Sequence, residues 1–445
     1  MRTMTYDLII RNALITTSES EALGSVGIQN GKFVKIGVVE DNGRSEIDAK
    51  GLTLIPGVID TQVHFREPGL EHKEDLESGT RSAILGGVTS IFEMPNTNPT
   101  TTTAEALRDK LGRAAGRAWC DFSFFVGASK ENVSALSELE MLPGSPGVKI
   151  FMGSSTGPLL VDDDEHLRQV LRNGKRRCPI HAEDEERNVA RKSLMSDHPH
   201  AREHPFLRDA ESARLATTRI LALSKETGRP VHVLHISTAD ELPILKAAKD
   251  DGLGTTCEVT PQHLWFAAPD CYEKLGTFAQ MNPPLRSAEH REGLRKATKA
   301  GLFDVIGSDH APHTIQEKQR PYPQSPSGMP GVQTLLSVML TLCSQGLITL
   351  KDFVRMACEN PARIYGIKNK GFLKEGYDAD FVLIDPQQKR VFERSMIASK
   401  CGWSPYEGEA LTGWPIHVFL RGEQMVTEGQ LTGRQTGQAV EFTWK

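Results

Sequence analysis

The chain has 445 residues and a formal net charge of -5 at pH 7. A chain of this length can form one large domain of roughly 250 to 350 residues together with a smaller one. The slightly acidic balance lacks the basic excess that binding to nucleic acid or to an anionic membrane requires, so we expect neither as a partner.

The cysteines and the N-terminal residues bear on the compartment. Seven cysteines form no C-x-x-C pair and no zinc-finger spacing, which is typical of reduced thiols in a cytoplasmic protein. The first residues, MRTMTYDLIIRNALI, alternate polar and apolar side chains and include charges, which is typical of neither a signal peptide nor a membrane span. We therefore expect a cytoplasmic protein.

Both ends of the chain have the pattern of β-strands. Residues 5–55 contain short alternating runs broken by turn signals such as Asn30-Gly31, which indicates hairpins. The pattern returns after residue 370 with ADFVLID and IHVFLRGEQMVTEGQL, where Arg421-Gly422-Glu423 is typical of a turn. We expect residues 1–54 and 366–445 to form one small β-sandwich domain together.

The middle of the chain, residues 55–365, alternates short apolar runs with stretches rich in helix-forming residues, as expected of repeated βα units. Eight runs can be counted, at 54–60, 88–94, 121–127, 147–152, 178–182, 231–236, 255–260 and 303–308. Eight repeats predict an α/β fold, a (β/α)₈ TIM-type barrel, whose catalytic residues lie at the carboxyl ends of the strands.

Three histidines fall at the ends of different runs. His64, His181 and His235 close or follow the first, fifth and sixth runs, so a barrel would bring them to one opening. Gathered imidazoles suit a divalent transition metal, although any one of them alone could be a hydrogen-bonded structural residue. His232 points to the opposite strand face from His235, and we assign it to structure.

Two further residues are candidates for the chemistry. Lys149 lies in the middle of the buried run GVKIFM, where a charge is costly unless it is paired or removed. Carboxylation by carbon dioxide would make it an anionic ligand; the alternative is an ion-paired lysine. Asp309 follows the eighth run and can accept the proton of an attacking water, or can cap the following turn. Together these residues predict metal-assisted hydrolysis of an amide.

Several segments carry a family resemblance, and they occur in this order: LIPGVIDTQVHFREPG, GGVTSIFEMPNTNP, VKIFMGSSTG, PIHAED, HVLHISTADE, EVTPQHL, MNPPLR, GSDHAPHT and NPARIYGI. They resemble the amidohydrolase superfamily and, within it, the dihydroorotases, over nearly the whole chain. The resemblance implies reversible hydrolysis of (S)-dihydroorotate to N-carbamoyl-L-aspartate in pyrimidine (UMP) biosynthesis.

The resemblance also implies roles for individual residues. One or two Zn²⁺ ions would be bound by His64, a carboxylated Lys149, His181, His235 and Asp309, and Asp309 would also be the general acid/base. Arg66 would pair with the substrate carboxylate, which suits a planar guanidinium. The remaining residues implied to contact substrate are Asn96, Asn282, His313, Ser327 and Gly328, the last two within the Pro- and Ser-rich loop 314–330.

Two positions depart from the family pattern. Gln62 stands where the first-strand motif D-x-H-x-H has its first histidine, and it shares a strand face with His64. An amide oxygen is a weaker zinc ligand than imidazole, so we expect the first metal to be held loosely or to be absent. Gln262 replaces a second common histidine, and we expect it to lie outside the direct ligands.

Alternative functions remain open at this stage. An allantoinase or hydantoinase is disfavoured by Arg66, because those substrates lack a ring carboxylate. A non-catalytic amidohydrolase-like protein is favoured by Gln62 but disfavoured by the survival of the other predicted ligands. We expect a homodimer that acts on a small molecule; no residue supports association with aspartate carbamoyltransferase.

Overall fold

In the computed structural model, residues 6–153 and 159–443 are described. The strands in these ranges are β1 Tyr6–Thr16, β2 Glu21–Gln29, β3 Lys32–Gly37, β4 Gly43–Asp48, β5 Thr53–Pro56, β6 Val58–Val63, β7 Val88–Glu93, β8 Asp121–Phe124, β9 Val126–Gly127, β10 Val148–Phe151, β11 Cys178–His181, β12 Val231–Val233, β13 Thr256–Val259, β14 Val305–Ile306, β15 Phe381–Val391, β16 Ala410–Leu420, β17 Glu423–Thr427 and β18 Gln430–Leu431.

The α-helices of the same ranges are α1 Leu76–Leu85, α2 Ala104–Ala114, α3 Leu136–Leu139, α4 Asp164–Arg172, α5 Glu185–Arg191, α6 His204–Leu207, α7 Ala210–Thr227, α8 Leu242–Asp250, α9 Pro261–Trp265, α10 Asp270–Leu275, α11 Ala288–Lys299, α12 Ile315–Lys318, α13 Leu335–Ser344, α14 Leu350–Val354 and α15 Asn360–Tyr365. Short 3₁₀ turns lie at Val133–Ala135, Lys192–Leu194, Ala201–Glu203, Ala239–Glu241, Gly276–Ala279 and Arg394–Met396, and a π-helical turn at Arg355–Glu359.

Strands from both ends of the chain share one nine-stranded sheet. Its order is β18-β17-β16-β15-β5-β1-β2-β3, and β4 pairs with β1. The two-residue turn between β2 and β3 is Asn30-Gly31, both with positive φ, as the hairpin pattern predicts. Arg421 and Gly422 form the equivalent turn between β16 and β17. The two ends of the chain therefore meet across the β5–β15 pair.

The middle of the chain forms parallel strands, which confirms the expectation of an α/β chain. Strands β6 to β8 pair in sequence, and β9 to β14 pair in sequence, all in parallel. The first of them begins at Val58, so the prediction of a single strand over residues 54–60 was wrong. Residues Thr53–Pro56 form a separate strand. Their backbone groups bond to β1 and β15, so this strand is part of the nine-stranded sheet.

The first and last parallel strands also approach each other. Val63 and His310 form a parallel bridge, and the backbone N–H of His64 donates to the carbonyl of His310 at 2.7 Å. At the other junction the chain runs directly from β8 through Phe125 into β9, and the Phe125 N–H donates to the Glu93 carbonyl. These bonds link the two sets of parallel strands.

Helix α1 shows how the sequence brings a helix close to the first parallel strand. Asp75 caps its N-terminus by accepting a hydrogen bond from the Ser78 N–H. Gly79 faces the Phe65 ring, and a Cβ there would lie 2.5 Å from ring atoms. A glycine is therefore required for the helix to pack against Phe65, the residue between His64 and Arg66.

Two predictions about the whole chain can be compared with the described residues. All seven cysteines are free thiols, which agrees with the absence of paired spacing. None of the helices in the described ranges combines the length and hydrophobicity needed to cross a bilayer.

Candidate active site

The predicted metal ligands lie at the carboxyl ends of the parallel strands. Lys149 is in β10, and His181 is the last residue of β11. His64, His235 and Asp309 follow β6, β12 and β14 within three residues. Since neighbouring parallel strands end at the same edge of a sheet, these side chains face one region.

His64 and Asp309 form the first pair of predicted ligands. His64 Nε2 lies 3.2 Å from Asp309 Oδ1, and the Nδ1–H donates to Asn96 Oδ1 at 2.7 Å. Burial lowers the pKa of His64 and favours the neutral imidazole. With its proton on Nδ1, the Nε2 lone pair faces a carboxylate oxygen. The His64 nitrogen and the Asp309 oxygen are then both acceptors and cannot bond to each other. A metal cation between them would bind both.

His181 and His235 form the second pair, with ring centroids 4.6 Å apart and ring planes at 74°. Glu183 Oε2 accepts a hydrogen bond from His181 Nε2 at 2.7 Å, which leaves Nδ1 without a proton. His235 Nδ1 is buried and has no hydrogen-bond partner in the described part of the chain. Burial lowers the pKa of both imidazoles, so both are neutral and able to bind a metal.

The backbone, rather than strand alternation, directs His235. Strand β12 ends at Val233, and His235 adopts a left-handed φ of 36° beyond it. His232 lies within the strand, is buried, and shares a 2.8 Å hydrogen bond between Nδ1 and Thr256 Oγ1. His232 is thus engaged with the neighbouring strand, as expected for a structural residue.

Lys149 interacts electrostatically with members of both pairs. Its side chain is buried, and among the described residues its Nζ has no hydrogen-bond partner. Burial lowers its pKa to about 7, although the charges of Asp309 and Glu258 oppose that shift. The Lys149 charge in turn lowers the pKa of both His181 and His235. One amine therefore interacts electrostatically with both pairs.

The histidine and carboxylate side chains of the described ranges do not by themselves complete a metal site. Within residues 6–153 and 159–443, no three His, Cys, Asp or Glu side chains are grouped closely enough to bind a metal ion. Each pair supplies two groups, whereas zinc sites in proteins use three or four ligands. Lys149 Nζ and His235 Nδ1 are buried polar atoms that lack partners in these ranges, as expected where a ligand is missing.

Arg66 lies beside the first pair as a buried cation. Its side chain donates from Nε to the Pro312 carbonyl at 3.1 Å. Burial lowers its pKa to about 10, so it stays charged at neutral pH. It makes no ion pair with any carboxylate of residues 6–153 or 159–443, although it is only 7% exposed. A buried guanidinium without a carboxylate partner has donors that suit an anionic ligand.

His313 connects Arg66 to the predicted substrate loop. Its Nε2 lies 3.3 Å from Arg66 Nη2 and 3.0 Å from the Ser327 carbonyl. Lys73 donates to Nδ1 at 3.2 Å, and burial lowers the His313 pKa to about 3. The ring is therefore neutral with its proton on Nε2, which donates to Ser327. Arg66 Nη2 then keeps its donors free for a ligand.

Several hydrogen bonds hold loop 314–330 in place. Lys318 is buried and donates from Nζ to the Gln280 carbonyl at 3.1 Å and to the Pro326 carbonyl at 2.8 Å. Gly328 donates to the same Gln280 carbonyl and has a φ of 138°, and a Cβ there would lie 2.4 Å from the Ala311 carbonyl oxygen. Ser327 and Gly328 are thus fixed against the segment that precedes Asn282.

Asn282 has a partner that the sequence did not reveal. His204 is buried, and its Nε2–H faces Asn282 Oδ1 and the Met281 carbonyl, both at 3.0 Å. The Asn282 amide therefore directs its NH₂ group elsewhere. Neither His204 nor Glu183 was predicted; the signal for Glu183 was a carboxylate two residues after a candidate metal histidine. Part of the motif VKIFMGSSTG, residues 154–157, lies outside the described residues.

Comparison with known proteins identifies the family. Residues 53–425 match the sequence model of the amidohydrolase family. The chain belongs to the amidohydrolase family. This amidohydrolase is 33% identical to the dihydroorotase of Methanothermobacter thermautotrophicus over 432 residues, 96% of this chain and 95% of that protein. It is 34% identical to the dihydroorotase of Pyrococcus furiosus, over 94% of this chain and 92% of that one.

Solved structures resemble the amidohydrolase over its whole length. L-hydantoinase (dihydropyrimidinase) from Arthrobacter aurescens has a TM-score of 0.93 at 28% identity, covering 98% of this chain and 99% of that chain. D-hydantoinase (dihydropyrimidinase) from a Thermus species has a TM-score of 0.90 at 26% identity, covering 97% and 98%. The fold is thus shared with hydrolases of cyclic amides, and the enzyme class follows from the family.

Proposed function

We propose that this amidohydrolase is a dihydroorotase, which hydrolyses (S)-dihydroorotate to N-carbamoyl-L-aspartate and reverses the reaction in UMP synthesis. One observation carries the choice of substrate: Arg66 is a buried guanidinium without a carboxylate partner in the described ranges. Dihydroorotate brings a ring carboxylate to such a group, whereas hydantoin and allantoin bring none. The full-length similarity to archaeal dihydroorotases supports the same choice.

The proposed roles of the side chains follow from their hydrogen bonds. Arg66 holds the substrate carboxylate. His313, Ser327 and Gly328 contact the substrate beside it, and the hydrogen bond from His313 to the Ser327 carbonyl keeps them together. Asn96 accepts from His64 through its carbonyl, which leaves its NH₂ group to donate to an oxygen of the substrate. The NH₂ group of Asn282 is free in the same way, because its oxygen faces His204. A site lined by donors favours a ligand rich in carbonyl and carboxylate oxygens.

Asp309 is the proposed proton carrier. Its carboxylate accepts the proton of the attacking water and returns it to the ring nitrogen as the amide bond breaks. Ring closure is the same path in reverse. A divalent metal bound here supplies polarisation of the substrate carbonyl and lowers the pKa of water toward roughly 7. The hydrogen bond from Gln62 Nε2 to Asp309 Oδ1 holds the carboxylate in one orientation before substrate binds.

We also propose that Lys149 is carboxylated and that one or two zinc ions bind between the histidine pairs. The neutral amine attacks carbon dioxide, a C–N bond forms, and one proton is lost to solvent, which leaves an anionic carbamate. The lowered pKa and the unpartnered Nζ support this, since an unmodified buried ammonium would lack a counterion within hydrogen-bond range. His181 and His235 would bind the more tightly held ion, and His64 and Asp309 the weaker one.

We propose a TIM-type barrel for residues 55–365, with a β-sandwich built from residues 1–54 and 366–445. The bridge between Val63 and His310 supports closure of the parallel strands. Phe33, Phe381 and Phe419 pack together and support a separate core for the small domain. Cytoplasmic location and a homodimer stay predictions.

Turnover by the purified protein tests the proposed function. Dihydroorotate, hydantoin and allantoin should be assayed side by side, each with and without added zinc. We expect zinc-dependent activity on dihydroorotate only. Activity confined to hydantoin or allantoin identifies another cyclic amidase, and a lack of activity on all three with a bound metal supports the non-catalytic alternative.

Asp309→Asn provides the matched control for that assay. The amide keeps the volume of the side chain but cannot accept the proton, so we expect kcat to fall by about 10²–10⁴-fold. Thermal stability should stay near that of the wild type. Full activity in this variant would show that another group carries the proton.

A further inference from the structure

His310 follows Asp309 directly and has no role in the proposed chemistry. Its ring is 1% exposed. Its Nδ1 accepts hydrogen bonds from the backbone N–H groups of Gly331 at 3.1 Å and Val332 at 3.3 Å. An imidazole nitrogen that accepts carries no proton, so the proton lies on Nε2. That nitrogen faces Glu74 Oε2 at 3.4 Å.

Glu74 is the buried carboxylate at the other end of this pair. Besides His310, the hydroxyls of Ser78 and Ser399 donate to it, and the Lys400 N–H donates to Oε1 at 3.1 Å. Donors from three separate segments therefore fix both of its oxygens. Glu74 cannot turn away from His310 without leaving some of these donors unpaired.

The backbone of His310 reaches the other side of the site. Its carbonyl accepts from the N–H of His64 at 2.7 Å. The next residue, Ala311, donates to the Met329 carbonyl at 2.9 Å. His310 and Ala311 thus join the segment after β14 to the segment after β6 and to the substrate loop.

Asp309 needs such support because its backbone is strained. Its φ of 45° lies in the left-handed region, which is uncommon for a residue with a side chain unless the surroundings hold it there. Gln62 and His64 contact only the carboxylate of Asp309. His310 is fixed on both its ring nitrogens and on its carbonyl, immediately next in the chain.

We infer that Glu74 and His310 are a positioning pair that holds the proton-carrying carboxylate of Asp309 and the substrate loop in register. The inference rests on the proposed function for Asp309. Neither residue touches the reacting atoms. The pair acts by fixing the Asp309 backbone on one side and residues 331–332 on the other.

Three substitutions test the two sets of hydrogen bonds made by the His310 ring, one to Glu74 and one to the backbone of Gly331 and Val332. His310→Asn keeps an acceptor near Nδ1 and loses the reach to Glu74. His310→Gln keeps a donor near Nε2 and loses the acceptor for Gly331 and Val332. Glu74→Gln keeps the volume and replaces one acceptor with a donor. We expect each to lower kcat by about 10–100-fold, to change KM less than kcat, and to keep the zinc ion proposed to bind at His181 and His235.

Additional variants distinguish positioning from general damage to the core. His232→Gln replaces an equally buried histidine away from Asp309, and we expect it to leave kcat unchanged. The double variant Glu74→Gln/His310→Gln should lose less than the product of the two single losses, because both remove one interaction. Losses that multiply would show that the residues act independently, and the pair would be refuted.

Crystal structures of His310→Gln and Glu74→Gln give a readout that needs no substrate. We expect Asp309 to leave its left-handed backbone or to lose its contact with Gln62 in both. An unchanged Asp309 in both variants overturns the inference, whatever the wild type hydrolyses. Wild-type kcat in both variants overturns it as well, whereas failure of the wild type to hydrolyse dihydroorotate overturns only the proposed function.

Discussion

Gln62 Nε2 donates a 3.1 Å hydrogen bond to Asp309 Oδ1, the same oxygen that lies 3.2 Å from His64 Nε2. Gln62 thus lies on the same face of its strand as His64, but it donates a hydrogen bond from its NH₂ group to Asp309. Its Oε1 is buried without a partner in the described residues. Gln62 stands where the family pattern has a metal-binding histidine. Here it holds the Asp309 carboxylate by a hydrogen bond.

Gln62→His should strengthen metal binding at the first pair. An imidazole is a better zinc ligand than a neutral amide, and the substitution restores a third side chain beside His64 and Asp309. We expect the zinc content measured after dialysis to rise toward two per chain. Gln262→His is the matched control, since Gln262 is buried and bonded to the Ser308 carbonyl instead. Two tightly bound zinc ions in the unaltered protein would refute the weakened site.

Lys149 should carry a carboxyl group that Lys110 lacks. Both lysines are buried, but Lys110 Nζ pairs with Glu93 at 3.0 Å, whereas Lys149 Nζ lies 4.5 Å from the centre of the Phe151 ring and has no hydrogen-bond partner among the described residues. Zinc-loaded protein crystallised with bicarbonate should show extra density at Lys149 alone. Lys149→Ala should lose activity and zinc, and short carboxylic acids should restore part of both. Full zinc binding by Lys149→Ala without added acid contradicts the prediction.

Arg66→Gln should impair recognition of the substrate carboxylate. Leaving a buried charge without its partner costs about 2–5 kcal/mol, so kcat/KM for dihydroorotate should fall by roughly 30-fold or more. Arg66→Lys should recover only part of this loss, because an ammonium lacks the planar pair of donors. Dihydrouracil, the same ring without the carboxylate, is the control substrate. An equal loss on both rings would show that Arg66 serves the fold instead.

Much of the site was predictable because strand ends are visible in the sequence. Apolar runs mark the parallel strands, and His64, His181 and Asp309 stand at or just after them. Lys149 was predictable because it interrupts an apolar run. A charged side chain that is buried within a strand is costly and indicates a special role. These signals depend only on neighbouring residues in the chain.

Other parts depend on contacts that no local pattern encodes. Glu74 and Ser399 are far apart in sequence and meet only in the folded chain. His204 begins the short helix α6 and bonds to Asn282, which lies 78 residues further along the chain. The strand Thr53–Pro56 has the apolar character of a central strand, yet its partners β1 and β15 are set by the fold of both chain ends.

Buried histidines should make the protein sensitive to acid. Burial lowers the pKa of His204 and His263 to about 4 and that of His232 and His313 to about 3. In the unfolded chain the same groups titrate near the ordinary value of about 6.5. Below that pH the unfolded chain takes up protons before the folded one does, so stability is lost as the pH falls toward the folded pKa values.

The expected loss for one such histidine is roughly 2 kcal/mol at pH 5, because the unfolded form is then about 1.5 pH units below its pKa. Thermal melts from pH 7 to pH 5 should show a steady decrease in Tm as the pH falls. His232→Gln, which cannot titrate, should flatten that decrease, whereas substitution of the exposed His198 by Gln should leave it unchanged. An identical slope in the His232 variant would mean that acid acts through other groups, since the variant removes only a buried imidazole.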